Sequence, residues 1–320
     1  MYKTKPIVDF IIDVETIGIF RPGFHPCRSS ASIIAKKLNG EKVSKEESKE
    51  IEKKMIISNA VFNVGITIQH KDNVLEKMQI GIDEFWLYPE HRIMDFYRKN
   101  FAKDGSDFTE RYETFGEFLV KRFYSLIHKY KETHRVRFYS YNADFDRRAF
   151  IDTAKLEGMT LPPSITDKWR CILVKACHTL LVDGGRKYFN WIIEQEHKLL
   201  SEHKYNQKQY LSDGRNARIK AETLYRYISK DTTFIEEHKG MQDTEIEGKI
   251  LNWCRKNKGA KLLDEPTSGG WTILNTEALP FKKKGNFDSE GIVALLTPAN
   301  QQRLYEILVS RGDEFVRYDG

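Results

Sequence analysis

Cysteine is scarce in this chain of 320 residues: Cys27, Cys171, Cys177 and Cys254 are the full complement, and no two form a C-x-x-C pair. Such spacing excludes a disulfide scaffold and argues against a structural zinc, so a reduced cytoplasmic compartment is expected. Long apolar runs are missing too. The richest, "CILVKACHTLLV", is shorter than the roughly 20 residues of a membrane span and is broken by Lys175 and His178, so no membrane partner is expected. "MYKTKPIVDF" leads directly into a strand pattern and leaves no room for a signal peptide. Internal repeats and low-complexity tracts are absent.

Extreme charge is also lacking. Lysine and arginine number 52 against 46 acids, a net charge of +6, which leans toward a polyanionic partner without resembling a chromatin-type binder. A hydrophobic content of 40% with 12% aromatic residues excludes wholesale disorder and suffices for a full core.

A first strand is expected from about Ile7 to Val14, then a polar, Lys- and Glu-rich insertion at about 20–57 whose charge run reads as a solvated helical face. "NAVFNVGITIQ" and "NVLEKMQIGIDEF" flank the turn "HKDN" as two antiparallel strands. Phe115, Phe118, Leu119, Phe123, Leu126 and Ile127 recur at helical spacing. "RVRFYSY" is a fourth strand, and "DFDRRAFIDTAKLEG" a helix that opens on acids. "CILVKACHTLL" suits strand or helix. Helices are expected at 188–200, in "KAETLYRYIS" and at 239–255, with "NQKQYLSDGRNAR" a loop between them. From residue 256 the chain is richer in Gly, Pro and Lys, up to a helical "PANQQRLYEILVSRG". The domain reading is therefore 1–255 plus a C-terminal extension, 256–320.

Three patches place acids where an apolar core is being built. In "DFIIDVETIG", Asp13 and Glu15 are two apart at a strand end, so alternation points both to one face. Paired carboxylates repel and raise each other's pKa, and make sense mainly with a cation between them. Asp9 shares that face four residues earlier, near the strand's other end. In "EEHKGMQDTEIEGKIL", Asp243 shares the apolar stripe of Ile246, Ile250, Leu251 and Cys254. An ionised carboxylate there costs several kcal/mol unless a cation compensates. His238 is five residues upstream, on a different helical face, so reaching the same site requires it to lie on the preceding loop.

"DVETIG", "NADFD" and "HKGMQD" resemble, in order, the three motifs of the DnaQ-like (DEDDh) 3′–5′ exonucleases, and 221–229 with 234–251 resemble bacteriophage members, which would place the chain in a host cytoplasm. The resemblance covers about 7–254, the insertion excepted. It implies a ribonuclease H-like α/β fold: a mixed five-stranded sheet, three antiparallel strands followed by parallel ones, flanked by helices. It maps the catalytic residues to Asp13, Glu15, Asp146, Asp243 and His238, with the four acids holding two Mg²⁺ or Mn²⁺ ions and His238 deprotonating the attacking water. Thr16, Ile17 and Asn142 would contact the terminal nucleotide, although Ile17 replaces the family's usual second threonine. The implied substrate is a single-stranded or frayed 3′ end, DNA favoured over RNA, cleaved to nucleoside 5′-monophosphates. An exoribonuclease of the oligoribonuclease or ribonuclease T type is the alternative, and an inactive nucleic-acid-binding replication or repair accessory protein the non-enzymatic one. Oligomeric state is not indicated. Arg147, Arg148, Lys239 and Lys282 to Lys284 are candidate phosphate contacts, and Phe20 and Tyr141 candidate stacking rings. His128, His134 and His178 read as structural or surface residues.

Overall fold

The structure is a computed structural model that describes residues 5–17, 44, 60–86, 100–102, 104–167, 169–180, 185–202, 210–212, 216–258, 286–288 and 295–310. The expected insertion, apart from Ser44, lies outside these residues, as do Phe20, Cys27 and Lys282 to Lys284. Contacts divide the chain into two compact units, one of Met1–Arg170 with Glu236–Gly248, the other of Cys171–Ile235 with Lys249–Gly320.

The first unit is built on β1 (Ile7–Thr16), β2 (Val61–His70), β3 (Asn73–Ile82), β4 (Glu110–Tyr112), β5 (Arg135–Ser140) and β6 (Trp169–Cys171). They form one six-stranded mixed sheet in the order β4-β3-β2-β1-β5-β6. β2 is antiparallel to both β1 and β3, while β5 is parallel to β1. The expected three antiparallel strands followed by a parallel one are present. The count of five is corrected to six by β4, an edge strand parallel to β3. Its three residues, Glu-Arg-Tyr, have no buried member, so no apolar alternation marks it in the sequence.

Phe10 and Phe138, which pair in register on β1 and β5, face one side of the sheet. Against it packs α1, which runs from Phe115–Phe118 through a π-helical turn, Leu119–Phe123, into Tyr124–Thr133. α2 (Ala143–Leu156) joins it, and Phe115, Phe118, Phe123 and Phe150 stack with centroids 4.9–6.2 Å apart. Each buried aromatic contributes a large apolar area, and their edge-on contacts add to it.

The opposite face is polar yet equally buried. Asp9, Asn63, Thr67, Gln69 and Gln79 are all at most 2% exposed. This face is covered by the first turns of α6 (Gly240–Lys258). Gly240, Thr244 and Gly248 recur every four residues, about 6 Å along a helix. Gly65, Thr67 and Gln69 recur every two, about 6.6 Å along a strand. The two ladders therefore match: a Cβ on Gly65 would lie 1.9 Å from the Gly240 carbonyl carbon, Thr67 and Thr244 hydroxyls are 2.8 Å apart, and a Cβ on Gly248 would meet Gln69 at 2.9 Å. Small residues bring the helix backbone onto the strand.

The second unit contains α3 (Ile172–Leu180), α4 (Arg186–Ser201), α5 (Ala221–Ser229), the later turns of α6, and α7 (Pro298–Ser310). "CILVKACHTLL" is thus strand only at Cys171 and helix thereafter. "NQKQYLSDGRNAR" is not wholly loop, because β7 (Leu211–Ser212) and β8 (Asn216–Arg218) pair with β9 (Asn286–Asp288) in a small antiparallel sheet. Asn300 on α7 donates to the Asn190 side chain on α4 at 2.8 Å. Cys171, Cys177 and Cys254 are buried and form no disulfide among the described residues. Burial pushes Cys254 up to about 12, so it stays a neutral core side chain. Among the described residues no helix is long and apolar enough to cross a membrane.

Candidate active site

Asp13 and Glu15 both leave β1 on its polar face, where Asp13 is paired with Gly65 and Glu15 with Asn63 on β2. A register shift between Glu15 and Thr16 ends the regular ladder just beyond them. Asp9, on the same face, instead stands in register with Arg137 of β5. An opposite charge thus flanks Asp9. The pairing with β5 stops at Ile11, so Asp13 has no such neighbour.

Asp13 Oδ2 is buried without a hydrogen-bond partner among the described residues. Burial pushes its carboxyl up to about 7. Asp146 enters from the first turn of α2, where its Oδ1 accepts from Val14 N at 3.3 Å. Burial, and then the charge of Asp13, hold its carboxyl well above the usual range. Asn142 caps the same helix through its backbone, its carbonyl accepting from Phe145 N at 2.8 Å.

His238 is two residues ahead of α6, on the loop, with φ at +53°. That left-handed turn, unusual for a non-glycine, lets the imidazole and Asp243 reach one place despite their five-residue spacing. Glu15, His238 and Asp243 each offer a ligand atom, and these lie within 4.8 Å of one another. The set is able to hold a metal ion. Glu236 adds a further carboxylate 4.0 Å from His238 Nδ1.

The start of α6 is pinned by side chains from the sheet. Asn63 Oδ1 accepts from Gly240 N at 3.2 Å and Gln79 Oε1 accepts from Met241 N at 2.5 Å. Gln79 Nε2 donates to Asn63 Oδ1 at 3.0 Å, and Asn63 Nδ2 donates to Ile80 O at 2.8 Å. Two amides thus satisfy the otherwise orphaned N–H groups of the first helical turn, the turn that carries Asp243.

The remaining expected contacts are less uniform. Thr16 is buried, and Ile17 is fully buried with its N–H donating to Ala60 O at 2.9 Å. Arg147 is occupied by Thr166 O and Asp144, Lys239 pairs with Asp107 at 3.1 Å, and Arg148 is exposed. Tyr141 is half-buried. Sequence reasoning passed over Glu247, a buried acid one turn beyond Asp243 that belongs to none of the three motifs. The i, i+4 spacing from Asp243 is the signal that would have found it.

No protein-family model matches the chain, and no curated protein does. Among solved structures, one described as "3'-end specific recognition of histone mRNA stem-loop by 3'-exonuclease" aligns with 84% of this chain and 89% of that one, at 12% identity and a TM-score of 0.47. The functional reading therefore rests on the site itself.

Proposed function

We propose that the protein is a metal-dependent 3′–5′ exonuclease of the DnaQ-like type with a ribonuclease H-like fold. The observation that carries this reading is the convergence of acids from three distant segments around Asp13, whose buried Oδ2 lacks a hydrogen-bond partner among the described residues. A cation is the economical compensation for such a group, and all-oxygen ligands suit Mg²⁺ or Mn²⁺. In this reading Asp13, Glu15, Asp146 and Asp243 would together hold two ions. When bound, the ions would supply Lewis-acid stabilisation and lower the pKa of the attacking water.

His238 accepts the proton as the water oxygen forms its bond to phosphorus. The phosphorus–O3′ bond breaks, and a nucleoside 5′-monophosphate leaves the shortened strand. An imidazole suits that task because its pKa is about 6.5. Thr16, Ile17 and Asn142 are proposed to contact the terminal nucleotide. The functional domain is taken as 1–255, with 256–320 an extension, acting on single-stranded 3′ ends in the cytoplasm.

The test is degradation of 3′-labelled single-stranded DNA and RNA of equal length in Mn²⁺. Monophosphate release from DNA that Asp13→Ala abolishes is the expected result, whereas faster loss of RNA assigns the exoribonuclease role. If every 3′ end stays intact with both proteins, a non-catalytic nucleic-acid-binding role replaces this reading.

A further inference from the structure

Glu247 belongs to none of the three motifs. It follows Asp243 by one helical turn on α6, and helical side chains lean toward the N-terminus, so it leans back over the turn that carries Asp243. The ladder of Gly240, Thr244 and Gly248 sets this part of α6 directly on β2, which places the adjoining ridge of Asp243 and Glu247 close to the sheet.

The side chain is only 3% exposed, and Oε2 is buried with no hydrogen-bond partner among the described residues. Burial raises its carboxyl well above the usual range, and the charges of Asp13, Asp146, Asp243 and Glu236 raise it further. A packing residue at this position would be better served by leucine or methionine, since a buried acid among like charges costs several kcal/mol unless something compensates. Asp9 shows the protein's other solution, an arginine on the next strand. Glu247 is instead buried among other acids, as Asp146 is.

We propose that Glu247 is a fifth carboxylate of the metal centre, one helical turn beyond Asp243. This rests on the exonuclease reading. The five-residue set then becomes a six-residue one, with Glu247 added on the α6 side of the centre. An added acid strengthens divalent binding on that side and makes it more dependent on pH, because the ligand must lose its proton before it binds.

Mn²⁺ binding to the whole chain, without substrate, tests this by electron paramagnetic resonance of free Mn²⁺. Wild type should bind two ions. In Glu247→Gln one of them should weaken by about 10-fold or more, while the exposed-site control Glu245→Gln binds as wild type does. Glu247→Asp, which keeps the charge on a shorter arm, should fall between. Metal-free Glu247→Gln should melt no lower than wild type, since a repulsive charge has gone, and should gain less from Mn²⁺. An unchanged isotherm in Glu247→Gln, with Asp13→Ala losing Mn²⁺, overturns the role of Glu247 and leaves the exonuclease reading standing. A lower metal-free melting temperature with an unchanged isotherm makes Glu247 structural and overturns the proposal likewise. Wild type that binds no Mn²⁺ overturns both.

Discussion

On one face of the central sheet Phe10 and Phe138 meet Tyr130 and Phe123 of a helical layer that also holds Phe115, Phe118 and Phe150, whereas the other face presents Asp9, Asp13, Asn63, Thr67 and Gln79 to α6. Both faces are largely buried, but they solve different problems. The aromatic face supplies area removed from water. The polar face spends stability on holding α6 in a fixed position, through amide caps and glycine contacts that allow no freedom of register. Stability and function are thus divided between the two sides of the same strands.

Substitutions on opposite faces should separate these roles. Asp13→Ala is expected to reduce exonuclease turnover by more than about 100-fold, since even outer partners of a metal ligand are worth 10–100-fold. It should leave the metal-free melting temperature equal or raised, because it removes a buried charge. Phe123→Ala should do the reverse, losing about 3–5 kcal/mol of stability in denaturant titration while the folded fraction remains active. If Asp13→Ala unfolds the protein and Phe123→Ala abolishes turnover, the division is wrong.

Gly65→Ala should rank next. The new methyl group would meet backbone, at 1.9 Å, so α6 must lift from β2. Overpacking of this kind costs about 1–3 kcal/mol or more, and turnover should fall further than stability does because Asp243 and His238 move with the helix. A fully active Gly65→Ala enzyme would show that the seating of α6 is not what positions the site.

The two faces were unequally legible in the sequence. The aromatic face was read from the recurrence of Phe115, Phe118, Leu119 and Phe123, because burial and hydrophobicity coincide there. Asn63, Thr67 and Gln79 were invisible by the same logic: polar residues within a strand pattern read as solvent-facing, and only the helix lying on them makes them interior. The position of His238 on a loop before α6 followed from helical geometry, and the motif acids followed from their spacing. Glu247 and the short strands β4, β7 and β8 escaped, the first because it belongs to none of the three motifs and the others because two or three residues carry no periodicity.

Acid pairs occur on both sides of the sheet, and pH should tell them apart. Near the start of α1, Glu84 and Glu157 hydrogen-bond to each other and accept from Phe115 N at 3.2 Å and Gly116 N at 2.6 Å. Burial, then the Glu157 hydrogen bond, pushes Glu84 up to about 8 from 4.5. The folded state therefore binds more protons than the unfolded chain between about pH 4.5 and pH 8. Stability contributed by this pair is complete below that window and is lost as pH rises through it. Asp13 behaves alike between 3.8 and about 7 when metal is absent. Saturating Mg²⁺ should cancel the Asp13 contribution and leave that of Glu84, so that Glu84→Gln flattens the residual slope in melting experiments. A slope unchanged by both Mg²⁺ and Glu84→Gln would mean that neither pair shares a proton in the folded protein.

The smallest effect expected is at Lys77, whose Nζ is 2.6 Å from Glu245 Oε1 across the β3–α6 contact. Both side chains are substantially exposed, so water screens the attraction and their ordering opposes it. Lys77→Ala should cost no more than about 0.2–1 kcal/mol, and less at high salt. Turnover should be unaltered, because the amides of Asn63 and Gln79 already fix the first turn of α6. Asn63→Ala supplies the contrast: it leaves the Gly240 N–H and the Gln79 amide without their partner, at about 1–3 kcal/mol, and should lower turnover with it. Equal losses in the two variants would place the anchoring of α6 on its charged surface instead of in the buried amide pair.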